Sequence, residues 1–413
     1  MAAISTKLIP GIRGSLAGLS GKCICFGSFT AAGCTFQDRL QPFCDRVPVW
    51  DGPKLLSWPS MLRSEVLACE SVSHFDGGIK KESVRVTNEI SQTTRPSLDF
   101  IPERFQTQFA ALCWMLVMGI WLAAVAGPFY VLYCAFQGAW DSLLTFLCGW
   151  LVCAVVKFPH IPWLAEVIAS GIESWFPKFS ISYEQSLERS KTSLPTGRTL
   201  YCYHPHGLFS IGAALLAVDL IRRGEKVSFV VASHMRWFNP VAKLLMDLAG
   251  IEIVGASAKD VQEAMKRGDR SLILVPGGYE EAVMTKTGFE RLFLRNRLGF
   301  VKYAMRYGYS IKPVYAYGEN DMYTTLDVLP SVRDWLAGFK IPIVFFYGDA
   351  KVPILPLRNE AGLKLVVGAA VAVAHSSEPS LRQLRDAHSE YVEKVAELYY
   401  RYNQNSDRPL EIV

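Results

Sequence analysis

Residues 199–207 read TLYCYHPHG, an apolar run that leads directly into a turn with two histidines. A short apolar run that ends at such a turn predicts a buried strand. Further short apolar runs of this kind follow at 228–231, 251–254, 271–275, 311–317 and 341–346. Helical patterns lie between them at 240–249, 259–267 and 299–307. This alternation predicts an α/β domain with a mostly parallel sheet and flanking helices.

The turn after the first strand carries the first candidates for chemistry. Functional groups of α/β domains gather where strands end. Pro205 restricts the backbone and Gly207 allows a ligand to approach closely, so an imidazole can be held in place here. A neutral histidine can take the proton of a hydroxyl while that oxygen attacks an acyl carbonyl. Two histidines could also bind a metal or form a polar turn, but His234 supplies no matching third ligand, so no metal site is predicted.

Residues 275–281, VPGGYEE, also follow a predicted strand. The backbone N–H groups of Gly277 and Gly278 could stabilise an oxyanion or bind a phosphate. Glu280 or Glu281 could orient the catalytic imidazole and stabilise its charged form. An ordinary strand–turn–helix junction with acidic residues in the first helical turn has the same pattern, so both interpretations stay open.

A basic stretch follows this motif. Its members are Lys286, Arg291, Arg295, Arg297, Lys302 and Arg306. Such a surface could bind the phosphates of coenzyme A through charge-assisted hydrogen bonds, although a solvated helix face would look the same. A nucleic-acid partner is not predicted, because no recognition motif is present and a long hydrophobic region precedes the domain.

That hydrophobic region has no charged residue between Arg104 and Asp141, and none between Asp141 and Lys157. The run 109–136 exceeds the roughly 20 apolar residues that cross a bilayer, whereas 142–156 is short and could be re-entrant. Flanking basic residues predict a membrane-embedded hairpin over 105–157 with both ends in the cytosol and its turn at 137–141. Gly127-Pro128 could kink the first run. A buried helical pair in a soluble core is the alternative.

Composition agrees with a globular domain that has a limited membrane segment. Of the 413 residues, 50% are hydrophobic and 20% charged, which is apolar for a soluble protein and polar for a transporter. The net charge of +5 suits anionic lipid or an acidic cofactor without deciding between them. All ten cysteines lie at or before Cys202, so no disulfide framework is predicted for the later part of the chain.

The first hundred residues show weak periodicity and recurrent Gly, Ser and Pro. No acidic residue precedes Asp38, a composition that is typical of an organellar transit peptide and also of a disordered tail. We therefore predict a tail or targeting segment at 1–100, the hairpin at 105–157 and an α/β domain at 158–405. An amphipathic helix at 382–402 ends that domain.

The order and spacing of these motifs resemble the type-2 diacylglycerol acyltransferase family, which includes monoacylglycerol and wax-alcohol acyltransferases. The matching segments are 175–177 (WFP), 203–207 (YHPHG), 276–278 (PGG) with Glu281, 297–300 (RLGF) with Ala304 and Gly308, 313–321 (PVYAYGEND), and His388 with Tyr391. The resemblance implies a membrane enzyme that moves an acyl group from coenzyme A to diacylglycerol, without a metal or bound cofactor. It implies the endoplasmic reticulum membrane and lipid droplets as its location, with a plastid envelope as the alternative.

Carried over by position, the resemblance makes His206 the general base and His204 a supporting group. Glu281 becomes their carboxylate partner. Related glycerolipid acyltransferases place an Asp shortly after the catalytic histidine, but 209–211 (FSI) holds no carboxylate, so the group that orients the imidazole must come from elsewhere. The remaining predicted contacts are the oxyanion or substrate site of Gly207, Gly277 and Gly278, and the acyl-CoA site of Arg295, Arg297, Lys302, Glu319 and Asn320.

Three alternatives remain at this stage. The acceptor could be monoacylglycerol or a long-chain alcohol instead of diacylglycerol. Cys202, beside the histidines, could carry a covalent acyl intermediate, although Cys202 and Tyr203 are more simply alternate faces of one strand. A lipid-binding or lipid-droplet protein with a degenerate site is the non-enzymatic alternative. Acyl-chain preference and homo-oligomerisation are not determined by the sequence.

Overall fold

The computed structural model describes residues 91–92, 101–184, 198–328, 344–360, 362–371, 373–403 and 407–413. Its strands are β1 Ser91–Gln92, β2 Phe179–Tyr183, β3 Thr199–His204, β4 Val227–Val231, β5 Glu252–Gly255, β6 Ser271–Leu274, β7 Glu290–Leu292, β8 Ser310–Tyr317, β9 Thr324–Leu326, β10 Phe345–Tyr347, β11 Leu363–Val367 and β12 Leu410–Ile412. Its helices are α1 Glu103–Gln137, α2 Trp140–Val155, α3 Pro162–Ser174, α4 Ile211–Arg222, α5 Met235–Phe238, α6 Pro240–Leu248, α7 Ala258–Arg267, α8 Gly278–Met284, α9 Gly299–Tyr307 and α10 Leu381–Tyr402.

The main sheet of the described chain has the strand order β1-β2-β11-β8-β3-β6-β4-β5. The five strands from β8 to β5 are parallel to one another. Strand β11 is antiparallel to β8 and parallel to β2. The predicted α/β fold with a mostly parallel sheet and flanking helices is therefore confirmed. The carboxyl ends of β3, β4, β6 and β8 meet at one edge of the sheet, which we call the strand-end edge.

The predicted strands of the parallel part coincide with β3, β4, β5, β6 and β8 to within two residues. The strand predicted at 341–346 is different, because the observed strand Phe345–Tyr347 pairs with Thr324–Leu326 outside the main sheet, and 341–343 lie outside the described residues. Strands β2 and β11 were not predicted. Ser91–Gln92, within the predicted tail, pairs with β2, and the rest of that tail lies outside the described residues.

Successive side chains of β3 alternate between two hydrophobic layers, as the period of two in a strand requires. Tyr201 and Tyr203 belong to a layer that includes residues of α1, α3 and α4. Leu200 and Cys202 belong to the opposite layer, with residues of α7, α9 and α10. The strand that carries the histidine turn is thus buried on both faces, and its end is held in a fixed place.

The hydrophobic region forms two helices joined at Gly138, whose φ of 67° ends α1 in the left-handed region. The first part of α1 packs on the domain, where the Trp114 indole N–H donates to the Ile172 carbonyl at 3.3 Å. The second part exposes its apolar side chains, and Phe136 is 89% exposed. Among the described residues α1 alone has the length and apolarity of a membrane-crossing helix, which indicates membrane association.

Helix α1 continues through Gly127-Pro128 as one helix. Gly127 allows close approach of α2. A Cβ at this position would lie 3.3 Å from both the Phe146 and the Trp150 rings. The small residue therefore allows the two helices to pack closely against each other.

Replacement of Gly171 in α3 by alanine is expected to weaken the attachment of α1 to the domain. The new Cβ would lie 2.3 Å from Cys113 Sγ and 2.9 Å from Cys113 Cβ. Overpacking of this kind costs about 1–3 kcal/mol, so the thermal midpoint in detergent should fall by several degrees. Gly149→Ala in α2, where nothing lies within 4 Å, is the matched control and should not lower it. Equal midpoints for both variants would contradict this account of the packing.

Candidate active site

The loop between β3 and α4 lies at the strand-end edge and carries His206. Gly207 and Ser210 both have positive φ, 61° and 50°, so the chain turns sharply on either side of residues 208 and 209. At Gly207 a Cβ would lie 2.6 Å from Glu319 Cγ. Glycine at this position is therefore required both by the backbone conformation and by the close approach of Glu319.

The imidazole of His206 is half-buried, and its Nδ1 lies 2.9 Å from the carbonyl oxygen of Gly207. Because a carbonyl oxygen can only accept, this contact assigns the proton to Nδ1 and leaves Nε2 with a free lone pair. The Ser210 hydroxyl donates to the His206 carbonyl at 2.8 Å and lies 3.3 Å from the same Nδ1. Burial lowers the pKa of His206, so the ring is neutral near pH 7 and can accept a proton.

The group that orients the imidazole is thus a backbone carbonyl and not a carboxylate. Glu281, which the sequence suggested for that task, contacts the main chain instead. Its buried carboxylate accepts the His206 backbone N–H at 2.6 Å and the Phe293 backbone N–H at 3.0 Å. Glu281 therefore fixes the position of the histidine along the loop, and among the described residues no hydrogen bond joins it to the His206 ring.

Glu319 supports the other end of the same loop. Its buried carboxylate accepts the Tyr203 hydroxyl at 2.6 Å and the backbone N–H groups of Ile211 and Gly212 at 3.0 and 3.2 Å. The first N–H groups of a helix have no partner within the helix, and the Ser210 side chain does not cap α4. A carboxylate is favoured there because the helix dipole is positive at that end.

Glu281 and Glu319 together form what we call the carboxylate clamp. Glu281 accepts the N–H of His206, and Glu319 accepts the N–H groups of Ile211 and Gly212. The segment 206–212 is therefore held at both ends. Burial raises the pKa of each carboxyl to about 7, and the N–H donors oppose that rise. Sequence reasoning missed this role for Glu319, although its place directly after a buried strand and Gly318 was a usable signal.

His204 is fully buried and points to the opposite layer of the domain. Its Nε2 lies 2.7 Å from the hydroxyl of Tyr391 in α10, and burial lowers its pKa to about 3. Among the described residues no hydrogen bond joins the His204 and His206 rings. The neighbouring Cys202 is also fully buried, and burial raises the pKa of its thiol. The alternative of a covalent intermediate on Cys202 has no support in this geometry, because the thiol is inaccessible.

The glycine motif lies beside this loop, at the end of β6. The Gly278 N–H donates to the Val275 carbonyl at 3.1 Å, so this predicted oxyanion donor is already engaged in a turn. The Gly277 carbonyl accepts from Arg297 Nη2 at 3.3 Å. At Gly277 a Cβ would lie 2.0 Å from Glu281 Oε2, so this glycine allows the clamp to pack under the turn.

The five residues predicted to contact acyl-CoA fall into two groups. Arg295 is exposed and Lys302 half-buried, while Arg297 is ion-paired with Glu280. Glu319 and Asn320 are buried. The Asn320 amide donates to the Phe289 carbonyl at 3.0 Å and to Glu290 at 3.2 Å. Both of these side chains are thus engaged inside the protein and not at a surface that a phosphate could reach.

The described part of the chain contains no group of three or more His, Cys, Asp or Glu side chains that could hold a metal ion. The described cysteines, Cys113, Cys134, Cys148, Cys153 and Cys202, are free thiols. Cys23 and Cys25, whose spacing alone could suit a metal but which have no second ligand pair in the sequence, lie outside the described residues.

A family model described as diacylglycerol acyltransferase matches residues 169–412. The chain is 27% identical to diacylglycerol O-acyltransferase 1 of Schizosaccharomyces pombe over 70% of this chain and 88% of that protein. It is 28% identical to diacylglycerol O-acyltransferase 2B of Umbelopsis ramanniana, over 50% and 64% of the two chains. It is also 22% identical to 2-acylglycerol O-acyltransferase 1 of Homo sapiens, over 58% and 76%.

Gly207 and Gly278 have similar positive φ but different room for a side chain. Alanine at each position therefore separates the cost of backbone strain from the cost of a steric clash. Gly207 and Gly278 have φ of 61° and 56°, but only Gly207 has Glu319 against the site of a new Cβ, whereas nothing lies within 4 Å at Gly278. Gly207→Ala should therefore lower the thermal midpoint clearly more than Gly278→Ala, which should show only the roughly 1 kcal/mol of a left-handed alanine. Equal losses would show that Glu319 does not constrain the loop.

The clamp also predicts a pH dependence of stability. Since the pKa of Glu281 is raised from 4.5 to about 7, the folded state holds a proton that the unfolded state loses between those values. Stability from this group is therefore present below pH 4.5 and is lost as the pH rises through about 7. The thermal midpoint of the native chain minus that of Glu281→Gln should decrease from pH 5 to pH 8. A constant difference would contradict the assignment, and Glu263→Gln, on an exposed side chain, is the control.

Proposed function

We propose that this chain, which belongs to the diacylglycerol acyltransferase family, transfers a fatty acyl group from coenzyme A to the free hydroxyl of diacylglycerol. The family model covers more than half of the chain, so the protein is an acyltransferase of glycerolipid synthesis. The choice of diacylglycerol over other acceptors is our inference. It is supported by the relatives of higher identity, which are diacylglycerol acyltransferases.

The geometry of His206 is the observation that carries the mechanism. Its Nδ1–H is held by the Gly207 carbonyl, so Nε2 can take the proton of the acceptor hydroxyl. The acceptor oxygen attacks the thioester carbonyl, and a new C–O bond forms. The C–S bond then breaks, and the thiolate of coenzyme A receives the proton from the imidazolium. The backbone N–H groups of Gly207 and Gly277 are the proposed donors to the oxyanion.

The acceptor would reach this histidine from the membrane side. Phe209, three residues after His206, lies 5.7 Å from the ring of Trp121 in α1 and 5.5 Å from that of Phe346. Tyr323 closes this cluster at 5.7 Å from Phe209. Tyr323 is buried, and the half-buried rings of Trp121, Phe209 and Phe346 therefore join the long apolar helix to the catalytic loop. Such a surface suits the acyl chains of a diacylglycerol that diffuses in the bilayer.

For acyl-CoA we propose Arg295 and Lys302 as the phosphate-binding cations. Arg295 is exposed on the segment that follows β7, and Lys302 lies one turn into α9. Arg297 instead pairs with Glu280, and its guanidinium stacks 4.9 Å above the Phe293 ring. We propose that Arg297 braces the glycine motif. Glu319, Asn320 and His204 are proposed to position the loop and the strands around it.

The proposed location is the endoplasmic reticulum membrane and the lipid droplet, and the plastid envelope is the alternative. The long apolar helix supports a membrane but does not select among these. A lipid-binding protein without activity is the competing function of another class. It would bind diacylglycerol without consuming acyl-CoA.

The experiment is triacylglycerol synthesis in membranes of a host that lacks the activity, with labelled acyl-CoA and diacylglycerol. The native chain should form product, and His206→Ala should lose roughly 10²–10⁴-fold in rate, since that is the usual contribution of a general base. His375→Ala is the matched control, because this exposed histidine lies beside Gly308, away from the catalytic loop. Equal rates for both variants would remove His206 from the mechanism.

A competition among acceptors in the same membranes identifies the preferred acceptor. Diacylglycerol, 2-monoacylglycerol and a long-chain alcohol are supplied together with one acyl-CoA, and the three esters are separated. We expect triacylglycerol to dominate. Dominance of diacylglycerol or wax ester as the product would replace the proposed acceptor while leaving the catalytic residues in place.

A further inference from the structure

Two adjacent aromatic side chains at the end of β4 have no place in the hydrophobic layers. Trp237 is 55% and Phe238 is 45% exposed, in the short helix α5. Their backbone is well held, because both N–H groups donate to the His234 carbonyl, at 3.0 and 2.9 Å. Asn239, which follows directly, caps α6 by accepting the Ala242 N–H at 3.1 Å. The two rings are thus presented outward by an ordered segment.

The position of α5 in the sheet is the second observation. Strand β4 is parallel to β6, and β6 is parallel to β3. The chain therefore leaves β4 at the strand-end edge, where it also leaves β3 for His206 and β6 for Gly277. The exposed aromatic pair lies at the same edge as the catalytic loop.

A direct contact joins this pair to the apolar hairpin. The Trp150 indole N–H of α2 donates to the Trp237 carbonyl at 3.0 Å. Around Trp150, α2 exposes Leu147, Leu151 and Val152. The exposed apolar surface of the hairpin therefore continues onto the α/β domain, and a single apolar medium can cover both.

We propose that Trp237 and Phe238 insert into the interfacial region of a phospholipid bilayer, as a second membrane contact beside the hairpin. The inference rests on the proposed membrane insertion of α1 and α2. Tryptophan is enriched at that depth because its ring is apolar and its N–H can still reach water or head groups. With two contacts on one edge, the domain cannot swing freely about the hairpin. The catalytic loop then faces the lipid that carries the acceptor.

Fluorescence quenching in vesicles tests this contact without any need for activity. The full chain and Trp237→Phe are reconstituted into phosphatidylcholine brominated either near the head group or near the chain end. The emission of the full chain minus that of Trp237→Phe is the emission of Trp237. Bromine near the head group should quench this emission more strongly than bromine near the chain end. Absence of quenching by both lipids would overturn the proposal.

The same measurement with Trp140→Phe tells whether absence of quenching at Trp237 means that the hairpin itself is not in the membrane. Trp140, at the start of α2, is 61% exposed and belongs to the hairpin. If Trp140 is quenched and Trp237 is not, only the contact through α5 is wrong. If neither is quenched, the membrane hairpin and the inference both fall.

A kinetic measurement gives the functional consequence. The double variant Trp237→Ser, Phe238→Ser should raise the apparent KM for diacylglycerol in vesicles about fivefold or more, while the protein stays in the membrane fraction. Leu381→Ser is the matched control, since Leu381 is 55% exposed at the start of α10 and should leave KM unchanged. An unchanged KM in the double variant would show that α5 does not orient the domain.

Discussion

The segment from His206 to Gly212 leaves the sheet after β3. Its backbone N–H groups therefore have no neighbouring strand to pair with. A buried N–H without a partner costs free energy comparable to a lost hydrogen bond, so some acceptor must be brought to this loop. The clamp supplies it, because Glu281 lies in α8, which follows β6, and Glu319 lies in the turn directly after β8. The loop that carries the imidazole is therefore tied at both ends to the elements that follow the neighbouring strands β6 and β8.

Parallel strands make this arrangement possible. Because β3, β6 and β8 end at the same edge, residues far apart in the sequence, such as His206, Glu281 and Glu319, meet within hydrogen-bond distance of one short segment. The same edge receives α1 through the contact of Trp121 with Phe209. The catalytic loop, the two supporting carboxylates and the apolar helix thus lie close together because parallel strands end at one edge of the sheet.

The parts that sequence reasoning predicted well are those with a local signal. The apolar runs of β3, β4, β5, β6 and β8 and the periodicity of α10 are encoded in consecutive residues. Strands β2 and β11 pair with each other across most of the domain, which no local pattern shows. The backbone contacts of Glu281 and Glu319 were not predicted for a related reason. A carboxylate at a strand end can serve an imidazole, a ligand or a backbone N–H, and only the fold decides which.

The antiparallel strand β11 lies between β2 and β8, yet it is the last strand of the main sheet along the chain. During synthesis β2 and β8 therefore emerge with open edges, and unpaired edges can recruit other chains. The apolar hairpin leaves the ribosome long before Leu363 does. The main sheet is therefore completed only after the hairpin and every other strand of that sheet have been synthesised.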